Sequence, residues 1–297
     1  MKLKLLRLAG IVLRPLLIVG VGRMRWVYPV WALFARLFFG NSVTIRADGV
    51  SISVPPDDGF GFNLLTQGSW EPFMLGLFKS NISIGMTVVD VGAHVGIYTL
   101  AAAAKVGDCG RVYAFEPVPR NYALLVQNIE ANGFTVNVVP LRKAVSDKPG
   151  MLTLYLDALQ STLHSVTRRG KDASPIMCEA VALDECLGGS KVDVVKIDVE
   201  GAEMAVLQGM QRIVSENPGV KIFCEFVPQS LVAAGASPRG LLDLLTAQAF
   251  TIYKIDEHRR DVVHIFNNNK SELVTDKGCY LLCVREGNSL FVRQEQG

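Results

Sequence analysis

The chain is short of the residues that build metal centres and disulfide frameworks. It has 4 histidines and 6 cysteines in 297 residues, the cysteines scattered at 109, 178, 186, 224, 279 and 283 with no C-x-x-C pair. That excludes a zinc site and a cystine scaffold and reads as reduced, buried thiols of a cytosolic protein. Acid is missing from the front. No Asp or Glu precedes Asp48, whereas Lys2, Lys4, Arg7, Arg14, Arg23, Arg25 and Arg36 all lie within residues 1–40. Long apolar runs are missing too. Residues 1–40 include 27 apolar residues, but the longest uncharged stretch there is Trp26–Ala35, half of the roughly 20 residues that a bilayer span needs. Arg14 and Pro15 interrupt any secretory signal, and no small-residue cleavage pattern follows. No period of 20–50 residues repeats, which excludes a solenoid. With 49% apolar and 20% charged residues the chain is neither disordered nor fibrous.

What is present divides at about residue 40. The formal net charge of +2 averages an arm of seven basic residues with a body of 23 basic against 28 acidic residues, a net −5. A slightly basic total is therefore no nucleic-acid footprint. The arm reads as one or two interfacial helices, with Leu, Ile and Val in the headgroup boundary and Lys and Arg facing anionic lipid. Trp26, Tyr28 and Trp31 would then sit at interface depth. The alternative is a helical subdomain packed on the body or on a second subunit. The expected location is cytoplasmic, with the arm on the cytoplasmic membrane face; the oligomeric state stays open.

From about residue 80 short apolar runs alternate with helical patterns. Strands are expected at Thr87–Val91, Arg111–Phe115, Val136–Leu141, Val192–Ile197, Val220–Phe223, Thr251–Ile255 and Tyr280–Val284. Helices are expected over Gly96–Lys105, Arg120–Ala131, Leu241–Gln248 and a single segment carrying Val206, Leu207, Met210 and Ile213. This rhythm is that of βαβ units, hence an α/β fold with a mostly parallel sheet covered on both faces. Pro140 puts its strand at an edge, or ends it there. Ser42–Val54 reads as a hairpin turning at Asp48-Gly49. Residues 150–183, with Ser161, His164 and Arg168-Arg169-Gly170-Lys171, read as an inserted hairpin or flap. The expected organisation is an arm over 1–40, a hairpin and closing segment over 41–80, the main domain over 81–285 and a tail over 286–297.

Five expected strands run into an acid: Asp90, Glu116, Asp198, Glu225 and Asp256. Ligands of parallel sheets bind outside the strands' carboxyl ends, and acids gathered there favour a cationic or polyhydroxyl ligand over a phosphate. A single acid at a strand end is ordinarily a cap for the next helix; five invite a common function. The segment Asp90-Val91-Gly92-Ala93-His94-Val95-Gly96 lies between a strand and a helix. Gly92 and Gly96 allow the tight turn and close backbone approach, but His94 stands where a dinucleotide fingerprint needs its second glycine. Glu116 ends the next strand, where a carboxylate accepts from both ribose hydroxyls. Together these describe a nucleoside site without phosphate recognition, and S-adenosylmethionine fits it.

On these residues the chain resembles the FkbM-type methyltransferases, class I enzymes that use S-adenosylmethionine. The resemblance runs from about Gly68 to Glu225. It is carried by Gly68-Ser69-Trp70-Glu71-Pro72, the Val89–Gly96 turn, Gly110–Pro117, Asn128–Gly133, Lys143–Asp147, Ala182–Glu185 and Val194–Glu203. It implies a Rossmann-like sheet of seven strands whose third core strand is an edge, in agreement with Pro140. It implies that the turn Gly92, Ala93, His94 and Gly96 holds the methionine end with Asp90 beneath. Glu116, followed by Pro117, would bind ribose, and Ala144 and Val145 would line the adenine. Asp198 would sit near the amino group and sulfonium, with Glu71 closing over the cofactor. The implied reaction is O-methylation of a sugar, glycolipid or natural-product hydroxyl, and the arm favours a lipid-linked or polysaccharide acceptor. Candidate general bases are, in order, Asp198, Glu200, Glu225 and His164. The same carboxylates suit a divalent metal, but no spacing demands one. The other classes are a catalytically silent S-adenosylmethionine-binding or scaffold protein, a membrane-peripheral non-enzyme and, against His94, a nicotinamide oxidoreductase.

Overall fold

The computed structural model describes residues 35–37, 39–47, 49–57, 59–156, 165–167, 174–266, 270–275 and 277–285. Nearly all of the basic arm, His164 and the Arg168–Lys171 run of the flap, and the tail 286–297 lie outside them. Among the described residues no helix is long and apolar enough to cross a membrane.

The expected hairpin is β1 (Val43–Ala47) and β2 (Val50–Val54), paired antiparallel from Val43↔Val54 to Ala47↔Val50. Two helices follow, α1 (Gly59–Gln67) and α2 (Pro72–Ser80). The βαβ rhythm then begins with β3 (Thr87–Val91), α3 (Ile97–Val106), β4 (Arg111–Phe115), α4 (Pro119–Ala131) and β5 (Val138–Leu141). The flap comprises β6 (Ala144–Val145), β7 (Gly150–Leu156) and β8 (Ser174–Val181). After it come α5 (Leu183–Cys186), β9 (Val194–Ile197), α6 (Glu203–Gln208), α7 (Gln211–Glu216) and β10 (Lys221–Phe226). The described chain ends with α8 (Pro228–Ala233), α9 (Pro238–Ala247), β11 (Phe250–Asp256), β12 (Asp261–Ile265), α10 (Lys270–Val274) and β13 (Cys279–Arg285).

The central sheet has the order β12-β11-β13-β10-β9-β3-β4-β5. The pairs β10–β9, β9–β3, β3–β4 and β4–β5 are parallel, and β13 inserts antiparallel between β10 and β11. All seven expected strands are present. An eighth, β12, folds back antiparallel on β11; its short Asp261–Ile265 run carries too little apolar signal to be read in advance. β5 is indeed an edge, pairing Pro140 only toward Ala114 of β4, where a missing N–H is tolerated.

Side chains alternate across this sheet. Val88, Val112, Val138, Val194, Phe223 and Leu282 enter one core, shared with β2, α2, α3 and α4. Val89, Val91, Phe115, Val195, Ile197, Ile222 and Leu281 enter the other, shared with α6, α7 and α9. Helices therefore cover both faces, as an α/β fold requires.

Three local readings change. Val206, Leu207, Met210 and Ile213 are all buried as expected, but on two short helices and, for Met210, the turn between them rather than on one helix. The break falls at Gly209, where an added Cβ would lie 2.1 Å from the Ser146 carbonyl oxygen, so backbone packs on backbone there. The strand expected from Val136 starts at Val138, leaving Val136 exposed. The flap is a hairpin of β7 and β8, yet Ala144–Val145 joins it parallel to β8, making a three-stranded sheet. Leu154, Cys178, Ala180 and Ala144 give that sheet a small core of its own.

Candidate active site

Register builds the floor of the site. Asp90 of β3 is the cross-strand partner of Lys196 on β9, and Glu225 of β10 is the partner of Tyr280 on β13. Each lies two residues from a side chain in the core shared with α2 and α3 (Val88, Val194, Phe223, Leu282), so all four share that face of the sheet at one end. Lys196 is only 3% exposed. Its ammonium lies 3.1 Å from Asp198 Oδ2 and 3.7 Å from Asp90 Oδ1, and 4.8 Å over the Tyr98 ring. Burial alone would discharge it; the Asp198 and Asp90 carboxylates prevail and hold its pKa above the usual lysine range. Tyr280 donates its hydroxyl to Asp198 Oδ2 at 2.8 Å.

The glycine turn forms one wall. The amides of Gly92 and Ala93 both donate to the Phe115 carbonyl, at 3.0 and 2.9 Å. Gly92 has φ 80°, and an added Cβ would fall 1.8 Å from the Asp198 carbonyl oxygen, so no larger residue fits between β3 and the end of β9. His94 also takes the left-handed conformation, with φ 53°. Its amide donates to Glu116 Oε2 at 2.8 Å and its ring packs edge-on against Phe60 at 4.5 Å. The amide of Val118 donates to Glu116 Oε1, also at 2.8 Å. The Asn121 side chain adds a third hydrogen bond to this carboxylate, which leaves acceptor capacity for one further donor. Burial, only partly offset by these hydrogen bonds, pushes the Glu116 carboxyl up to about 7.

These walls enclose a cavity of about 300 Å³, at the lower end of the range for small-molecule sites. Of the expected cofactor residues, Glu71, Gly92, Ala93, His94, Glu116, Pro117, Ala144, Val145 and Asp198 line it. Asp90 and Gly96 do not. Asp90 is wholly buried beneath, taking the Thr99 hydroxyl at 2.6 Å, and Gly96 starts α3 against Leu125. The catalytic candidates Asp198, Glu200 and Glu225 also line the cavity, each with an oxygen within 4.8 Å of the others. That is close enough for the three to face one cation together. Glu225 Oε2 is buried with no hydrogen-bond partner among the described residues. Burial and its neighbours Asp198 and Glu200 push the Glu225 carboxyl well above the usual carboxylate range.

Glu71 faces these acids. Tyr98 donates to its Oε2 at 2.8 Å. Burial and Asp198 raise its carboxyl to about 7, against the opposing pull of Tyr98, Lys196 and Tyr280. Asp256, the fifth strand-end acid, is elsewhere: its Oδ1 accepts the amides of His258 and Arg259 and shapes the β11–β12 turn. Glu203 accepts the Val199 and Gly201 amides ahead of α6, a structural role.

Sequence reasoning missed several lining residues. Lys196 had a signal: a cation in the apolar run Val192–Ile197 of a central strand must be paired to be buried. Tyr98, Tyr280 and Phe60, and Leu152, Leu154 and Val166 from the flap, read as ordinary core and strand residues with no signal of their own.

The site can thus hold a polyhydroxyl group on Glu116 and cationic groups among Glu71, Asp198, Glu200 and Glu225. Over 163 residues the chain is 29% identical to Methyltransferase sdnD of Sordaria araneosa, covering 44% of this chain and 62% of that protein. Over 125 residues it is 30% identical to Hexuronic acid methyltransferase AglP of Haloferax volcanii, covering 41% and 48%. The chain therefore spans about half to three-fifths of the length of these curated relatives. Among solved structures, a putative rRNA-methylase from Clostridium thermocellum aligns at a TM-score of 0.44 and 12% identity over 72% of this chain and 94% of that one, too loosely to carry argument. The sequence model of the Methyltransferase FkbM domain matches residues 90–252, more than half of the chain. The chain belongs to the FkbM methyltransferase domain family, whose cofactor is S-adenosylmethionine.

Proposed function

We propose that this protein transfers the methyl group of S-adenosylmethionine to a hydroxyl of a sugar, glycolipid or natural-product acceptor. The observation that carries the proposal is one cavity with two unlike poles: a buried carboxylate at the β4 end, with acceptor capacity left for a ribose hydroxyl, and the Glu71, Asp198, Glu200 and Glu225 group facing it. The first suits a nucleoside without phosphates, the second an ammonium and a sulfonium. Ala144 and Val145 supply an apolar edge for the adenine. Asp198, already engaged by Lys196 and Tyr280, is fixed in place to receive the ammonium.

In the reaction the acceptor oxygen bonds to the methyl carbon, the carbon–sulfur bond breaks with its electron pair remaining on sulfur, and the hydroxyl proton leaves to a base. Alignment of the three atoms is worth about 7–11 kcal/mol and a base about 10²–10⁴-fold. Of the candidates, Glu225 has the unengaged oxygen, and burial raises its affinity for a proton, as suits a proton acceptor. AglP's name, which specifies a hexuronic acid, supports the sugar class.

Calorimetric titration tests the cofactor: S-adenosylmethionine saturates one site and NADH does not, and no heat with millimolar S-adenosylmethionine overturns the reading. Release of S-adenosylhomocysteine with panels of neutral sugars, uronic acids and glycolipids tests the acceptor. Asp198→Asn is expected to fold and to lose turnover, and Glu225→Gln to bind the cofactor with turnover reduced at least 100-fold. Turnover without any loss in both variants removes these acids from the catalytic account, and release with no panel leaves a silent binder.

A further inference from the structure

The closing segment is held from an unexpected place. Glu71 is the N-cap residue of α2, with φ 44° and ψ 58°, and its own side chain makes no capping bond. The left-handed conformation is strained for a non-glycine residue and persists only where neighbours impose it. Pro72 has no amide to satisfy, which leaves Phe73 and Met74 as the first donors of the helix. Glu257 takes both: Oε1 accepts from Phe73 at 2.9 Å and Oε2 from Met74 at 2.8 Å. Its negative charge also suits the positive end of a helix. Glu257 stands 184 residues away, on the turn between β11 and β12 that Asp256 shapes by accepting the His258 and Arg259 amides. The eighth strand of the sheet thus ends the turn that carries this carboxylate.

The consequence falls on Glu71. Helix N-caps commonly fold a side chain back onto the N2 or N3 amide; here that work is done by Glu257, and Glu71 turns instead into the cavity to meet Tyr98. Phe78 of the same helix packs edge-on against the Tyr98 ring at 5.2 Å, so the tyrosine that meets Glu71 is itself seated on α2. We infer that Glu257 is a positioning residue for the cofactor site: by clamping the first two amides of α2 from the β11–β12 turn, it holds Glu71 in the conformation that aims its carboxylate at the cofactor's cationic end. The inference rests on the proposed S-adenosylmethionine site for the identity of that cation, but the positioning itself is a property of the protein alone.

The test has one arm for each. In Glu257→Ala the Phe73 and Met74 amides are expected to lose hydrogen-exchange protection. The Glu71 carboxyl, which faces Tyr98, Tyr280, Asp198, Lys196 and Glu225, is expected to titrate back toward the ordinary glutamate range by carbon NMR as it swings into water. Retention of Glu71's titration near 7 in that variant overturns the inference, whether or not the wild type binds S-adenosylmethionine. Where the wild type does bind, calorimetry is expected to show Glu257→Ala weakened about tenfold and Glu71→Gln weakened at least as much. The double variant should be no weaker than Glu71→Gln, because one residue acts through the other. Multiplying losses, or wild-type affinity in Glu257→Ala, also overturn it. Should Glu257→Ala fail to fold, Glu257→Gln keeps one acceptor oxygen and is expected to show the same pattern at reduced size. A wild type that does not bind S-adenosylmethionine at all refutes the proposed cofactor instead.

Discussion

Lys196 is the residue on which the acids of the site depend. It is nearly fully buried between Asp90 and Asp198, and a cation so placed survives only because two carboxylates face it. Removing it leaves Asp90 without a counter-ion at 0% exposure. Lys196→Met is therefore expected to destabilise the fold by about 3–5 kcal/mol, the cost of breaking a buried pair from one side. Lys196→Met with Asp90→Asn should recover a large part of that loss, since the buried charge goes too. Urea denaturation of the two variants decides it: an equally unstable double variant means that the lysine acts through packing. The same residue shows what was legible in advance. The acids Asp90, Glu116, Asp198 and Glu225 could be placed around one site because each ends a strand. Lys196 sits between two of them in sequence, but the register that pairs it with Asp90 is a tertiary fact. Asp256, which obeys the same strand-end pattern, serves a turn instead.

At the scale of elements, the N-terminal hairpin is joined to the domain by side chains that imitate a strand. Asn128 of α4 accepts the Ser53 amide at 2.7 Å and donates to the Ser53 carbonyl at 3.0 Å and the Val95 carbonyl at 2.8 Å. One helical turn on, Asn132 accepts the Ser51 amide at 2.8 Å and donates to the Ser51 carbonyl. Spacing of i and i+4 puts both amides on one face, and residues 51 and 53 of β2 present matching groups at the strand period of two. The outer edge of β2 is thus paired without another strand. Each asparagine removed leaves backbone groups unsatisfied, at about 1–3 kcal/mol, more for Asn128, which is fully buried. Asn128→Ala is expected to lower stability by that amount and to release the Ser53 amide to solvent exchange; unchanged protection at Ser53 refutes the clip. Both the hairpin and the helix could be read from turn residues and periodicity. Their docking could not, because polar residues at helical spacing look like a solvated face. The family motif Asn128–Gly133 marked the segment without giving its use.

Two cavity glutamates bind their protons more tightly in the folded molecule than in the unfolded chain. Glu71 and Glu116 move from about 4.5 to about 7, Glu71 by burial and Asp198, Glu116 chiefly by burial. Below about pH 4.5 each is neutral in both states and contributes nothing. As pH rises from there toward 7 the unfolded chain releases its protons while the folded one retains them, so stability falls, by up to about 3 kcal/mol for each group. S-adenosylmethionine opposes this trend. A cationic group beside Glu71 and ribose hydroxyls donating to Glu116 both favour the ionised carboxylates, so binding expels protons and the affinity rises with pH through about 7. Calorimetry in two buffers of different ionisation heat should show proton release on binding near pH 6.5, and a flat affinity between pH 5.5 and 8 would sink the linkage. The product separates the two glutamates. S-adenosylhomocysteine keeps the ribose and the ammonium but has lost the sulfonium charge, so it engages Glu116 equally and the Glu71–Asp198–Glu225 group less. The preference for S-adenosylmethionine over S-adenosylhomocysteine is therefore expected to widen as pH rises through 7 and Glu71 ionises, and to become nearly independent of pH in Glu71→Gln. A ratio that is constant with pH in the wild type would place the sulfonium away from Glu71 and assign the acids to the ammonium and the acceptor alone.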